Sequence, residues 1–178
     1  LDSTGMLACG EDLGMIPATV PQVMDDLRIL SLEIQRMPKS VEETFAHPAN
    51  YPYLSVCTTS THDMNPIRAW WEEDREVTND FWHMILGNQG EAPFFCEPWI
   101  CRQILEQHVW SPAMLTILPL QDWLSMDAQL RREDPNTERI NVPANSRHYW
   151  RYRMHLTLEP LAEADEFNNT LADMTPGS

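Results

Sequence analysis

The chain has 178 residues, of which 43% are hydrophobic and 22% charged, so it can build a core. At that length it suits one domain and falls short of a complete (β/α)8 barrel of roughly 250 residues. Twelve Lys and Arg against 27 Asp and Glu leave a formal charge of −15, a field that repels polyphosphate and anionic lipid and argues against nucleic-acid and membrane partners.

Met6-Leu7-Ala8-Cys9 is a short apolar run and reads as a buried strand, opening into the glycine-flanked loop Gly10-Glu11-Asp12-Leu13-Gly14. Thr19 can start a helix, with Pro21 early and Val20, Val23, Met24 and Leu27 at helical spacing. Residues 29–34 predict a second strand and residues 53–59, rich in β-branched and aromatic side chains, a third, which ends at Ser60-Thr61-His62-Asp63. Asn65-Pro66 opens a helix carrying Trp70 and Trp71. A second helix runs through Phe81, Trp82, Ile85 and Leu86 to Gly87, and a third covers 97–109. Residues 114–118 make a fourth strand, followed by Pro119-Leu120-Gln121-Asp122 and a helix over 123–128. The stretch 131–145 is polar and contains prolines. Residues 148–161 then predict a final helix, and the acidic tail to Ser178 is expected to fray.

The N-terminus has neither Met nor a basic segment before an apolar run, so residue 1 reads as a fragment boundary with no targeting signal, and no run reaches the ~18 apolar residues of a membrane span. Cys9, Cys57, Cys96 and Cys101 form no CxxC pair. They read as reduced and structural, which points to the cytoplasm.

Alternating βα units with short apolar strands imply a parallel sheet covered by helices, which either a doubly wound sheet or a closed barrel satisfies. Polar residues recur just past the strand ends, at Glu11-Asp12, His62-Asp63 and Gln121-Asp122, where barrel active sites lie, and no GxGxxG or Walker sequence favours nucleotide binding. At a strand end, burial and a neighbouring acid would raise the pKa of one member of Glu11-Asp12 and make it a proton donor for a glycosidic oxygen. The alternative is that Asp12 caps the loop. His62-Asp63 can grip sugar hydroxyls and stabilise positive charge on a sugar ring, or can form an Asx turn before the next helix. Six scattered histidines, without HExxH or paired CxxC, supply no metal site. Trp70, Trp71 and Trp82 read as packing, and Tyr149-Trp150-Arg151-Tyr152-Arg153 as a docking helix.

Taken in order, Gly10-Glu11-Asp12-Leu13-Gly14, Thr61-His62-Asp63, Pro119-Leu120-Gln121-Asp122 and Glu138-Arg139-Ile140-Asn141-Val142-Pro143, followed by Tyr149-Trp150-Arg151-Tyr152-Arg153, resemble the amylomaltase family of 4-α-glucanotransferases. The resemblance extends over about residues 6–161. Residues 34–39 and Trp70-Trp71-Glu72-Glu73 are similar to the longer bacterial and plant-type members. It implies a retaining enzyme of the α-amylase clan without a cofactor, acting on α-1,4-glucans or maltooligosaccharides. It also implies strands five to eight of a partial (β/α)8 barrel over 1–161, with an acidic tail over 162–178. By the same resemblance Glu11 matches the general acid/base, Asp63 the transition-state stabiliser and His62 the sugar-binding histidine, while Asp12 supports the substrate loop. The family's nucleophilic aspartate and the arginine before it have no counterpart here, so the fragment is expected to be inactive without the missing N-terminal half of the barrel, or a second copy in its place. The competing reading is a noncatalytic glucan-binding module of the same fold, and a weaker one is a hydrolase of the same clan.

Overall fold

The computed structural model describes residues 5–175. Its centre is a three-stranded parallel sheet of β1 (Ser31–Ile34), β2 (Ser55–Thr58) and β3 (Leu115–Thr116), in the order β1-β2-β3. Ser31 pairs with Ser55 and Ile34 with Thr58, and Cys57 pairs with Thr116. Side chains alternate across such a sheet. Gln35, just past β1, bonds Gln107. Cys57 Sγ bonds the His108 carbonyl, and Thr59 bonds Asp122, so this face turns toward the helices that carry those partners.

Helix α1 (Val20–Asp26) follows Thr19, with a proline in its first turn where a missing N–H costs nothing. Between β1 and β2 the chain crosses over with only the single 3-10 turn Pro48–Asn50. Three helices then follow β2: α2 (Ile67–Trp71), α3 (Arg75–Met84) and α4 (Pro98–Val109). The Asp74 carboxylate caps α3 by accepting from the N–H groups of Glu76 and Val77. These helices enclose the main core. Trp71 and Phe81 are fully buried, Phe45 and Trp70 each meet Phe81 edge to face at 5.1 Å between centroids, and Ile100, Ile104 and Leu105 line α4. The packing role expected of Trp70, Trp71 and Trp82 is the one they have. Cys96 and Cys101 join this core with sulfurs 3.4 Å apart, and burial pushes the Cys96 thiol well up; all four cysteines are free. After β3 come α5 (Leu120–Leu124), the 3-10 turn Pro135–Glu138, α6 (Leu158–Ala162) and α7 (Asp165–Met174).

The structure departs from the sequence-based expectations in four places. The first strand is reduced to one parallel bridge, Cys9 with Leu30, and Met6 and Leu7 are exposed rather than buried, because this segment is paired on one side only. The fourth strand is two residues long, and the helix after it starts at Leu120 rather than 123. Residues 148–156 form no helix. Arg151 sits over the Tyr149 ring at 4.6 Å, a contact between residues two apart that suits an extended chain and not a helix, and the Arg153 carbonyl accepts from Arg132 at 2.9 Å. The acidic tail does not fray over its described part. Phe167, Leu171 and Met174 recur at helical spacing in α7, where Phe167 packs on Leu124 and Leu130 and Met174 reaches the main core.

Candidate active-site loops

The loop leaving β2 carries His62 and Asp63 with side chains 54% and 48% exposed, His62 Nε2 lying 3.6 Å from Asp63 Oδ1. A second segment runs alongside and fixes it. Asn141 donates from Nδ2 to Asp63 Oδ1 at 2.6 Å, its backbone N–H donates to the His62 carbonyl at 3.0 Å, and Arg139 donates from Nη2 to the Asp63 carbonyl at 3.1 Å. One amide bond leaves a carboxylate with spare acceptor capacity. Asp63 can therefore take further hydrogen bonds from a ligand while its orientation is held. The Trp150 ring lies tilted against the His62 imidazole, 4.8 Å between centroids, and stays more than half exposed.

Beneath this loop the support is buried and charged. Asp122, with no exposed surface, accepts from the Thr59 hydroxyl at 2.5 Å, the Ser60 hydroxyl at 3.5 Å and the Ile67 N–H at 2.8 Å. The last of these is a first-turn donor of α2 that has no partner within its own helix. Burial raises the Asp122 carboxyl above its ordinary range, and the hydrogen bonds and the Arg36 charge oppose that rise. Arg36 spans the two loop ends by donating to the Thr59 and Asn65 carbonyls, each at 2.8 Å, with its guanidinium over Trp70. Desolvation brings it down to about 10, which leaves it charged at neutrality.

The other expected loop, 10–14, divides its two acids. Glu11 is exposed and accepts from the Leu13 N–H at 3.2 Å, so it is not the buried member expected of this pair. Asp12 is the buried member. Its Oδ1 accepts from the Leu32 N–H at 2.9 Å and its Oδ2 from Lys39 Nζ at 2.6 Å, and Lys39 also binds Glu33 at 2.7 Å. Asp12 thus clamps the Glu11 loop to β1. The Cys9 bridge and β2 flank β1 on opposite sides, so Glu11 and Asp63 stand on loops separated by one strand.

Sequence reasoning passed over Asn141, Arg139 and Trp150 as site residues. Asn141 meets Asp63 from 78 positions away, so no local spacing signals the pair, and its only trace was its place in the quoted motif. Glu138, in that same motif, is buried with Oε1 unpartnered; desolvation pushes it up to about 7, opposed by Arg68 and Arg132 and reinforced by Asp122. Among the described residues, no group of three or more His, Cys, Asp or Glu converges as a metal site, and no helix is long and apolar enough to cross a membrane.

A family profile described as 4-alpha-glucanotransferase matches residues 1–158. The chain belongs to the 4-alpha-glucanotransferase family. It is 41% identical over 178 residues to the rice (Oryza sativa subsp. japonica) 4-alpha-glucanotransferase DPE2, covering all of this chain and 19% of that protein. It is 29% identical over 177 residues to the Chlamydia muridarum 4-alpha-glucanotransferase, covering 98% of this chain and 33% of that one. Among solved structures, the amylomaltase from Streptococcus agalactiae in complex with acarbose superposes with a TM-score of 0.70 at 19% identity, over 98% of this chain and 32% of that one. The Corynebacterium glutamicum amylomaltase superposes with a TM-score of 0.60 at 17% identity, over 96% and 29%. The family assignment thus rests on sequence and the shared fold on structure. The chain spans between a fifth and a third of the length of these relatives.

Proposed function

We propose that this chain is the C-terminal part of the catalytic barrel of a 4-α-glucanotransferase that moves α-1,4-glucan segments between maltooligosaccharides. The Cys9 bridge, β1, β2 and β3 are parallel neighbours in chain order, which supports reading residues 1–161 as barrel strands five to eight. A complete site then needs the remaining strands and a nucleophilic carboxylate from the missing N-terminal half, or from a second copy of the chain.

In this reading the nucleophile attacks the anomeric carbon while Glu11 protonates the departing glucosidic oxygen, which forms a covalent glycosyl-enzyme. Glu11 then takes a proton from the 4-hydroxyl of an acceptor sugar, whose oxygen attacks the same carbon and releases the nucleophile. The exposed Glu11 side chain is free to meet both oxygens, and the clamp made by Asp12 holds its loop. Asp63 faces the positive charge that develops on the ring and His62 donates to a neighbouring hydroxyl. One observation carries the proposal: an accessible carboxylate at a parallel strand end, Asp63, held in place by Asn141 and Arg139 and paired with His62.

The test uses the complete enzyme with maltotriose, which should yield glucose and lengthened maltooligosaccharides. Glu11→Gln should lower kcat by about 10²- to 10⁴-fold with an unchanged melting temperature. A product spectrum untouched by Glu11→Gln would remove the acid/base role. Glucose release without chain lengthening would make the protein a hydrolase.

A further inference from the structure

A cavity of about 60 Å³ joins the loop after β2 to the segment that runs alongside it. Ser60, Thr61 and His62 line it from the loop, Glu138 and Ile140 from the segment, and Gln121 from α5. The space exceeds the roughly 10–15 Å³ that one water needs and is far below the roughly 300 Å³ of a small-ligand site, so it admits water and no sugar. Glu138 is the only acid that lines it among the described residues, and it is 1% exposed.

Two consecutive residues of α5 tie both walls down. Asp122 holds Thr59 and Ser60, and Gln121 donates from Nε2 to the Glu138 carbonyl at 3.2 Å. From Glu138 the chain passes at once to Arg139, which donates to the Asp63 carbonyl, and then to Asn141, which donates to Asp63 Oδ1. A shift of Glu138 therefore reaches Asp63 within three residues. The side chain does more than fill space, because a buried carboxyl with Oε1 unpartnered costs stability that an apolar side chain of similar size would not. The groups around it come from every neighbouring element: Arg68 of α2, Arg132 ahead of the 3-10 turn, Asp122 of α5, Tyr152 of the extended segment and His62 across the cavity. Both guanidinium groups are engaged elsewhere. Arg68 donates to the Arg132 and Glu133 carbonyls, and Arg132 to the Thr137 hydroxyl and the Arg153 carbonyl. Burial raises the Glu138 carboxyl to about 7, with Asp122 adding to the rise and the two arginines opposing it. Below that value it is neutral and fits the closed cavity; above it, an anion must draw an arginine off those acceptors or bring in water.

We propose that Glu138 is a positioning residue for Asp63: its buried carboxyl seats residues 138–141 against α5 and so fixes, through Arg139 and Asn141, the orientation of the carboxylate that faces the sugar ring. The inference rests on the transferase reading for what Asp63 does, and a structural readout tests it apart from that reading. In the complete enzyme acting on maltotriose, kcat should fall about tenfold between about pH 6 and about pH 8, the change expected when only the neutral form of one group near 7 is competent, while KM stays within about twofold. Glu138→Gln, which stays neutral and keeps the shape, should hold kcat level across that window. Glu138→Ala should lower kcat by about 10- to 100-fold at every pH. Crystals of the unsubstituted enzyme should keep the 2.6 Å contact between Asn141 and Asp63 only at the lower pH, and those of Glu138→Gln at both. An alkaline fall in kcat that Glu138→Gln leaves in place, or a contact between Asn141 and Asp63 indifferent to pH and to Glu138→Ala, would overturn the role. An enzyme that shows no transfer, yet whose Asp63 contact follows Glu138, would uphold it and overturn the transferase reading.

Discussion

The two candidate active-site loops of this chain are built on opposite plans. The Glu11 loop is held by its own neighbour, Asp12, through one backbone N–H and one lysine. The Asp63 loop is held by residues remote in sequence, with Asp122 and Arg36 beneath it and Arg139 and Asn141 beside it. In the proposed roles Asp63 stabilises charge that develops on the sugar ring, and such a group works best when fixed in advance, whereas Glu11 exchanges a proton with oxygens that occupy the same position in turn. The denser support lies under Asp63, in the sense its proposed task requires.

The largest break in this contrast should come from Asp122→Ala, which leaves the Thr59 hydroxyl and the Ile67 N–H without a buried acceptor. A loss of about 3–5 kcal/mol in urea unfolding is expected, and Asp122→Asn, which keeps an acceptor oxygen, should cost less. Next comes a pH dependence from Glu138, whose carboxyl is raised from 4.5 to about 7 in the folded protein by burial, with Asp122 adding to the rise and Arg68 and Arg132 opposing it. Between those values the folded state holds a proton that the unfolded state has released, so stability falls as pH rises from about 4.5 to about 7 and levels off above. The rise at Asp122 has the same sign. Glu138→Gln should flatten the melting temperature across that window, and an unchanged slope would show that another group carries it. Asp12→Ala should cost about 2 kcal/mol by chemical denaturation and loosen the Glu11 loop without affecting the Asp63 loop. The smallest effect on stability is expected for Asn141→Ala, about 1 kcal/mol, because Asp63 is half exposed; crystallography of that variant should show Asp63 reoriented.

Local signals in the sequence located most of the helices. Thr19 with Pro21 and Asn65-Pro66 mark helix starts by a physical rule, and the helix read over 97–109 is α4. Failures arose where tertiary partners decide. Tyr149 and Arg151 pair across an extended segment that composition alone reads as helix, and α7 was hidden because its acids outweighed the Phe167, Leu171 and Met174 stripe. At the site, His62 and Asp63 were legible from their place after a strand. The burial of Asp12 and the exposure of Glu11 were not, since adjacent residues in one loop are told apart only by where Lys39 and the Leu32 N–H happen to lie.

The helix-free crossover between β1 and β2 leaves a trough beside α1, lined by Ser31, Glu33, Asp12 and the lysine that joins the two acids. An ionic latch opens at a lower free-energy cost than the removal of a packed helix, and opening it leaves Asp12 tied to β1 by the Leu32 N–H alone while α2, α3 and α4 stay seated. Hydrogen exchange in β1 should therefore accelerate on substitution of Lys39 while the amides of α4 keep their protection, which makes the two loops separately adjustable.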